Sequence, residues 1–542
     1  MASLAPYTQP LSQREAGHLL RRTLIGPTQA EISNATGQFA AQLLQQLLVD
    51  DPIPNPPIDP LTNGDWVSPA PGPNNSPDDE RRIQFFGWWI HKMHTQPTTI
   101  HERMVWFWHT HFPTIETRIN NTAALYYQHA LFRKYALGNF KTLTRAMCID
   151  NAMLVHLDGR LNVAGSPQEN FAREFFELFT VGKGDQVSPT DYTTFTETDV
   201  KEATRLLTGW DVDGSFTLVD PITGIPRGKL KGNGTIATQH DTGTKTFTAA
   251  FNNTSIAPAS NQVVDVEAEL DAFVDMVFAS PHTAKFICRK LYRFFVYYDI
   301  TPEIENDIIA PLAALLVQQN YEIKPVVEAL LKSSHFFDQD DQVLQNNNIG
   351  AIIKSPMEIT VGSLRTLELS FPAPNDLVRH YLAYGNKLTE ATGGQGMPFH
   401  EPYDVAGFDP YYQFPGFNRL WISPNYLAMR YLWSDSITGG VADMSGLELF
   451  KLDMPAFVQT HCSNPSNADV LIKEMCDLLL PIDLDQARLD YFRDNGLLSG
   501  LTSSGWSTDW TTFTQNGNAM LVEQPLEKMF RIILQSPEFQ IY

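Results

Sequence analysis

The chain of 542 residues carries a formal charge of −22, and so acidic a surface repels phosphate backbones and anionic lipid, which argues against nucleic-acid or membrane-surface binding as a main role. With 43% hydrophobic and 11% aromatic residues it has ample material for a sizeable core, which excludes wholesale disorder, and its length is enough for more than one ordinary domain. Four scattered cysteines, Cys148, Cys288, Cys462 and Cys476, form no CxxC pair and so indicate neither a zinc ribbon nor a dense disulfide framework.

No charged segment followed by an apolar run opens the chain, and no stretch reaches about 18 apolar residues. Taken literally this pattern reads as cytoplasmic, and a chain trimmed of a leader would share it. From the N-terminus onward the clearest local signal is a way of starting helices, a Ser or Thr cap with an acid three residues later, so that hydroxyl and carboxylate satisfy orphan amides reciprocally. Ser12-Gln-Arg-Glu15, Thr28-Gln-Ala-Glu31, Thr99-Ile-His-Glu102, Ser166-Pro-Gln-Glu169, Thr196-Glu-Thr-Asp199 and Ser355-Pro-Met-Glu358 all fit. Ser76-Pro77, Ser280-Pro281 and Ser423-Pro424 are simpler versions with Pro at the first helical position. The expected fold is therefore mainly α, a large multi-helix globular protein of about a dozen or more helices.

Residues 1–50 read as an N-terminal helical segment and 51–76, with eight prolines, as an extended linker. Residues 77–542 form the main helical body. Within it, 213–262 mixes Thr, Gly and Val with few helix formers and reads as a small β-hairpin insertion. The stretch 391–421 is rich in Gly, Pro and aromatics and reads as an ordered loop, because so many rings would not be left in water.

Three places hold chemistry-bearing residues. His109 and His111 stand at the last turn of a helix ending before Pro113; an unwinding turn would bring both imidazoles to one side as metal ligands, whereas either could equally cap carbonyls or pack beside Trp106 and Trp108. The helix after Ser166 bears Asn170, Arg173, Glu174 and Glu177 as a polar stripe on an otherwise apolar cylinder. Its carboxylates fit an acid–base pair or a cation site, or a structural ion network around Arg173. The next helix, with Asp199, Glu202 and Arg205, reads as a solvated face, while His240 and Asp241 lie in the hairpin region, where a loop can aim side chains into a site. Tyr403, Phe408, Tyr411, Tyr412, Phe414, Phe417 and Trp421 suit a sugar-stacking platform or a small core of their own. Walker, Rossmann, Gly-x-Ser-x-Gly and His-Glu-x-x-His patterns are all missing.

At these segments the chain resembles the bacterial family known as domain of unknown function 1800. The matching pieces are His18-Leu-Leu-Arg-Arg22 with Gly26-Pro27, Glu102-Arg-Met through Trp108-His-Thr-His-Phe112, Asn170-Phe-Ala-Arg-Glu through Gly182, Thr198-Asp-Val through Trp210, His240-Asp-Thr-Gly, Lys354-Ser-Pro-Met-Glu358 and Ser536-Pro-Glu-Phe539. The resemblance implies no established activity. It implies a protein that is often exported, and a partner from another family, number 1501, that looks like an alkaline-phosphatase or sulfatase relative. The chain departs from the family pattern at Phe179, commonly His, and at Gly407-Phe408, commonly Gly-Trp.

Two readings follow. In the first, the chain is a metal-assisted hydrolase acting on a glycan or another extracellular polymer, with His109, His111 and His240 holding a divalent metal and Glu174, Glu177 and Asp241 catalytic. In the second it is a non-catalytic binding or assembly protein whose partner does the chemistry. The first expects His109, His111, one glutamate and His240 or Asp241 to share a cavity, and both expect Glu174 and Glu177 to be largely buried with Arg173 near one of them.

Overall fold

Helix starts follow local chemistry. At Ser12, Thr28, Thr196 and Ser355 the hydroxyl accepts the amide three residues on while that residue's carboxylate accepts the cap amide, each cap being worth about 1 kcal/mol. Ser280 and Ser423 cap the Pro281–Phe295 and Pro424–Gly439 helices in the simpler way. The computed structural model describes residues 2–67, 72, 74–340, 347–373 and 376–542. It is mainly α, 54% helical, with three small two-stranded antiparallel ribbons. Trp210–Asp211 pairs with Lys229–Leu230, Lys245–Thr246 with Ser255–Ile256, and Val441–Ala442 with Glu448–Phe450.

The third ribbon lies outside the segment expected to hold strand. Its turn is closed by the Asp443 carboxylate, which accepts from the Ser445 and Leu447 amides and from the Ser445 hydroxyl. Two expected capping boxes are absent. The helix after Thr99 starts at His101 with Ile100 as an uncapped first residue, and the helix after Ser166 starts at Asn170. Each carboxylate has gone to an arginine instead: Glu102 meets buried Arg133 at 2.5 Å and Glu169 meets Arg173 at 3.0 Å. For Glu102 the reason is energetic, since an uncompensated buried guanidinium costs more than an N-terminal amide left without its cap. Residues 51–67, 72 and 74–76 hold no helix or strand, and 68–71 and 73 of that segment lie outside the described residues.

The His101–His111 helix is buried along every residue and runs through the centre of the core, as a helix apolar around most of its circumference must. Its Arg103, Phe107, Thr110 and His111 face the Pro281–Phe295 and Pro356–Thr366 helices, with the Phe107 and Phe294 rings 5.2 Å apart. Trp106 and His109 turn toward Trp89 of the Asp78–His94 helix. The chain's two ends dock on the same centre. Gly26, at φ +77°, sits so close to Gly362 that a Cβ would fall 2.2 Å from the Gly362 carbonyl oxygen, and the Tyr542 hydroxyl donates to Glu358 Oε1 at 2.6 Å. All four cysteines are buried and unpaired, and among the described residues no helix is long and apolar enough to cross a membrane.

Candidate functional site

A narrow cleft, with about 50 Å³ open to the centres of water-sized molecules, lies between the His101–His111, Pro281–Phe295 and Pro356–Thr366 helices and the 403–421 loop. Its floor is a closed polar network. Arg103 donates to Glu358 and to the Tyr542 hydroxyl, and Glu358 also accepts the Ser355 amide at 2.5 Å. Burial pushes the Glu358 carboxyl upward, but the Arg103 charge and these hydrogen bonds outweigh it and hold the group below its usual range.

One wall is set by an irregular helix. After Asn170–Glu174 the coil widens to a π turn over Phe175–Phe179 and stops, so the Leu178 and Phe179 carbonyls have no helical amide to accept. Side chains from other helices satisfy them: Lys290 Nζ donates to Leu178 O at 3.2 Å, and His111 Nε2 donates to Phe179 O at 3.1 Å. A carbonyl only accepts, so His111 carries its hydrogen on Nε2, and Nδ1 is left to accept from Lys290 at 3.1 Å. Burial, reinforced by the Arg293 charge, pushes the Lys290 ammonium down to about 7; burial and the Lys290 charge hold the imidazole far below its usual value. One turn on, Arg293 Nε donates to Tyr298 O at 3.2 Å while its guanidinium covers the Phe417 ring at 4.8 Å.

The mouth is aromatic. Tyr298, Tyr411 and Tyr412 line it partly exposed, Phe417 and Trp421 contribute from buried positions, and the Trp106 indole donates to the Tyr411 hydroxyl at 2.9 Å to fix that ring. The 391–421 stretch thus divides its rings: Phe408 and Trp421 are buried beneath the loop, whereas Tyr403 and Phe414 are exposed.

The six residues singled out in the sequence are not gathered here. Only His111 lines the cavity, with both ring nitrogens engaged. Two residues along the helix, His109 points away and meets His400, ring centroids 4.2 Å apart, and all four nitrogens of this pair are buried without a hydrogen-bond partner among the described residues. Burial holds His109 down to about 3. His240 is wholly buried elsewhere, between the Thr208 carbonyl at 2.9 Å and Glu269 at 2.8 Å, where Lys245 also meets Glu269 at 2.7 Å; Asp241 pairs with Arg205 at 2.9 Å. Glu174 and Glu177 are half-buried, Glu177 in an ion pair with Lys183, while Arg173 pairs with Glu169 and Glu197 instead of either. Among the described residues no three His, Cys, Asp or Glu side chains converge as metal ligands would.

Lys290, Arg293, Tyr542 and His400 were not singled out from the sequence. The signal for Lys290 was present, because spacing from Phe286 and Phe294 places a lysine on the apolar face of its helix, where a cation needs a reason. Arg103 and the C-terminal segment lay in matching family pieces without a role assigned to them, and Glu358 was read only as the acid of a capping box.

A family model described as "Protein of unknown function (DUF1800)" matches residues 18–541, nearly the whole length, and the chain belongs to that family. No curated protein and no solved structure matches it.

Proposed function

We propose that this member of the DUF1800 family is a binding protein that takes a glycan unit into the aromatic-mouthed cavity and leaves bond cleavage to another protein. The supporting observation is the cavity's lining: several rings at the mouth can cover the apolar face of a sugar, and the one carboxylate among the described lining residues, Glu358, is already occupied by Arg103, Tyr542 and the Ser355 amide. Glycoside hydrolysis ordinarily uses two carboxyl groups facing one bond, roughly 5 to 10 Å apart, and this lining offers no such pair.

Metal-assisted hydrolysis fits the residues less well. His109 with His400 supplies two nitrogens where a hydrolytic metal ordinarily has three protein ligands, and His240 is engaged by Glu269 and Thr208.

Titration of tryptophan fluorescence with oligosaccharides from plant, algal and bacterial cell walls tests the proposal, because Trp421 stands in the wall. The expected result is a saturable change that Trp421→Ala abolishes while the melting curve stays cooperative. Silence across the whole panel with folded protein would overturn it, as would release of shortened saccharides by the purified chain.

A further inference from the structure

Resting on that reading of the cavity, we propose that the bound unit is an acidic sugar, a uronate, whose carboxylate is held between Lys290 and Arg293. The two stand three residues apart on the Pro281–Phe295 helix, so both head groups reach the same cavity one turn from each other. Neither has a carboxylate within 4 Å among the described residues, whereas Arg289 of the same helix is held by Glu305 at 2.6 Å, and Arg103 and Arg133 are paired with Glu358 and Glu102. Buried Arg22 and Arg430 also lack an acid within 4 Å among the described residues, but their terminal nitrogens donate to Val296 O, Asn348 O, Gln540 and Lys354 O, whereas Lys290 and Arg293 stand half-buried at the cavity with donors to spare for a counter-charge from outside. The carboxylates that act on Arg293 at longer range are Asp299 and Glu305.

The unused hydrogen-bonding capacity points the same way. Lys290 spends two donors on Leu178 O and His111 Nδ1, and its third hydrogen has no protein acceptor among the described residues. Arg293 spends only Nε, on the Tyr298 carbonyl, and its two terminal nitrogens make no hydrogen bond to described residues. A lysine and an arginine fork left open beside each other are donors for one planar oxyanion. Basic side chains outnumber acids three to one around the cavity, and at the mouth a further arginine, Arg419, covers the Tyr298 ring at 4.5 Å.

The aromatic rings decide which oxyanion fits. Arg293 covers Phe417 and Arg419 covers Tyr298, so the rings left for a sugar in the same lining are the partly exposed Tyr411 and Tyr412, which suits a carboxylate fixed to a ring with an apolar face, as in a uronate, better than a free inorganic ion. The charge of −22 adds a limit: a long polyanion laid over the surface is repelled, so the cavity takes a single unit or a short chain end.

The test is calorimetric titration of the full chain with a short oligouronate, with the same oligosaccharide carboxyl-reduced to the neutral sugar, with benzoate and with sodium sulfate. The oligouronate should bind at least about 10-fold more tightly than its neutral counterpart, the difference that one charge-assisted contact of about 1.4 kcal/mol gives. Lys290→Met and Arg293→Gln should each lower affinity for the oligouronate about 10-fold or more and bring the ratio of oligouronate to neutral-sugar affinity toward one, and Lys290→Arg should restore most of that ratio, which a folding defect would not allow. Equal affinity for the two oligosaccharides overturns the uronate and leaves the glycan reading standing. Binding of benzoate or sulfate with none of either oligosaccharide overturns both.

Discussion

Glu358→Gln separates the charge at the cavity floor from every other role of that side chain. Glutamine can still accept the Ser355 amide, so the helix start survives, and the Tyr542 hydroxyl still meets Arg103; what disappears is the negative charge opposite a guanidinium that is 2% exposed. Removing one partner of a buried pair ordinarily costs about 3 to 5 kcal/mol, and with Tyr542 retained the lower figure, about 3 kcal/mol at pH 7, is expected. The double variant Arg103→Met/Glu358→Gln should recover part of that loss, since no uncompensated charge is then left inside. The pH profile supplies an independent check. The carboxyl is held below its ordinary 4.5, so the stability it contributes is fully present above that value and is lost as pH falls through the lower, folded value. Urea unfolding of wild type and variants between pH 7 and 3 measures both effects, and Glu358→Gln should show the shallower acid limb. A variant within about 1 kcal/mol of wild type at pH 7, or one with an unchanged acid limb, would refute the account of the floor.

Gly26→Ala and Gly37→Ala form a matched pair. Both positions lie in the left-handed region, at φ +77° and +83°, but a methyl at 26 meets the Gly362 backbone while one at 37 meets nothing within 4 Å. Thermal melts should give about 1 kcal/mol of loss at 37 and about 3 kcal/mol or more at 26; equal losses would mean that the close helix contact does not hold. His109→Phe replaces an unpartnered ring by an apolar one among Trp89, Trp106 and His400, so it should be within about 1 kcal/mol of wild type, with no stoichiometric metal in the purified protein. A loss above about 2 kcal/mol together with one bound metal that the variant lacks would restore metal-assisted chemistry as the leading account.

What the sequence disclosed is what nearest neighbours decide. A hydroxyl, three residues and a carboxylate are enough to start a helix, and four of the six such boxes form as read. The other two carry the same pattern and fail because the carboxylate goes to an arginine: Glu169 to Arg173 one turn on, and Glu102 to Arg133, 31 residues away, which nothing within Thr99–Glu102 announces. The ribbon at 441–450 was missed for the converse reason. Its strands are two and three residues long, too short for alternation to register, and its determinant is a single aspartate closing a turn.

The cavity was half legible, and the missing half turns on charge balance and not on residue type. Imidazoles and carboxylates attract notice as ligands, yet in the folded chain His240 is taken up by hydrogen bonds with Glu269 and the Thr208 carbonyl, Asp241 by Arg205 and Glu177 by Lys183. A side chain satisfied inside the protein has little left to offer a ligand. Lys290 and Arg293 look ordinary in sequence, two bases in a helix with several, and become distinctive only in the fold, where the described residues leave donors of both open at the cavity with no carboxylate within 4 Å. His111 joins the two halves: the 102–112 segment made it a candidate for a metal, and the carbonyl freed by the π turn at Phe179 fixes it instead as the acceptor that positions Lys290. The same histidine therefore belongs to the site, with a role that follows from an irregular helix end 68 residues away.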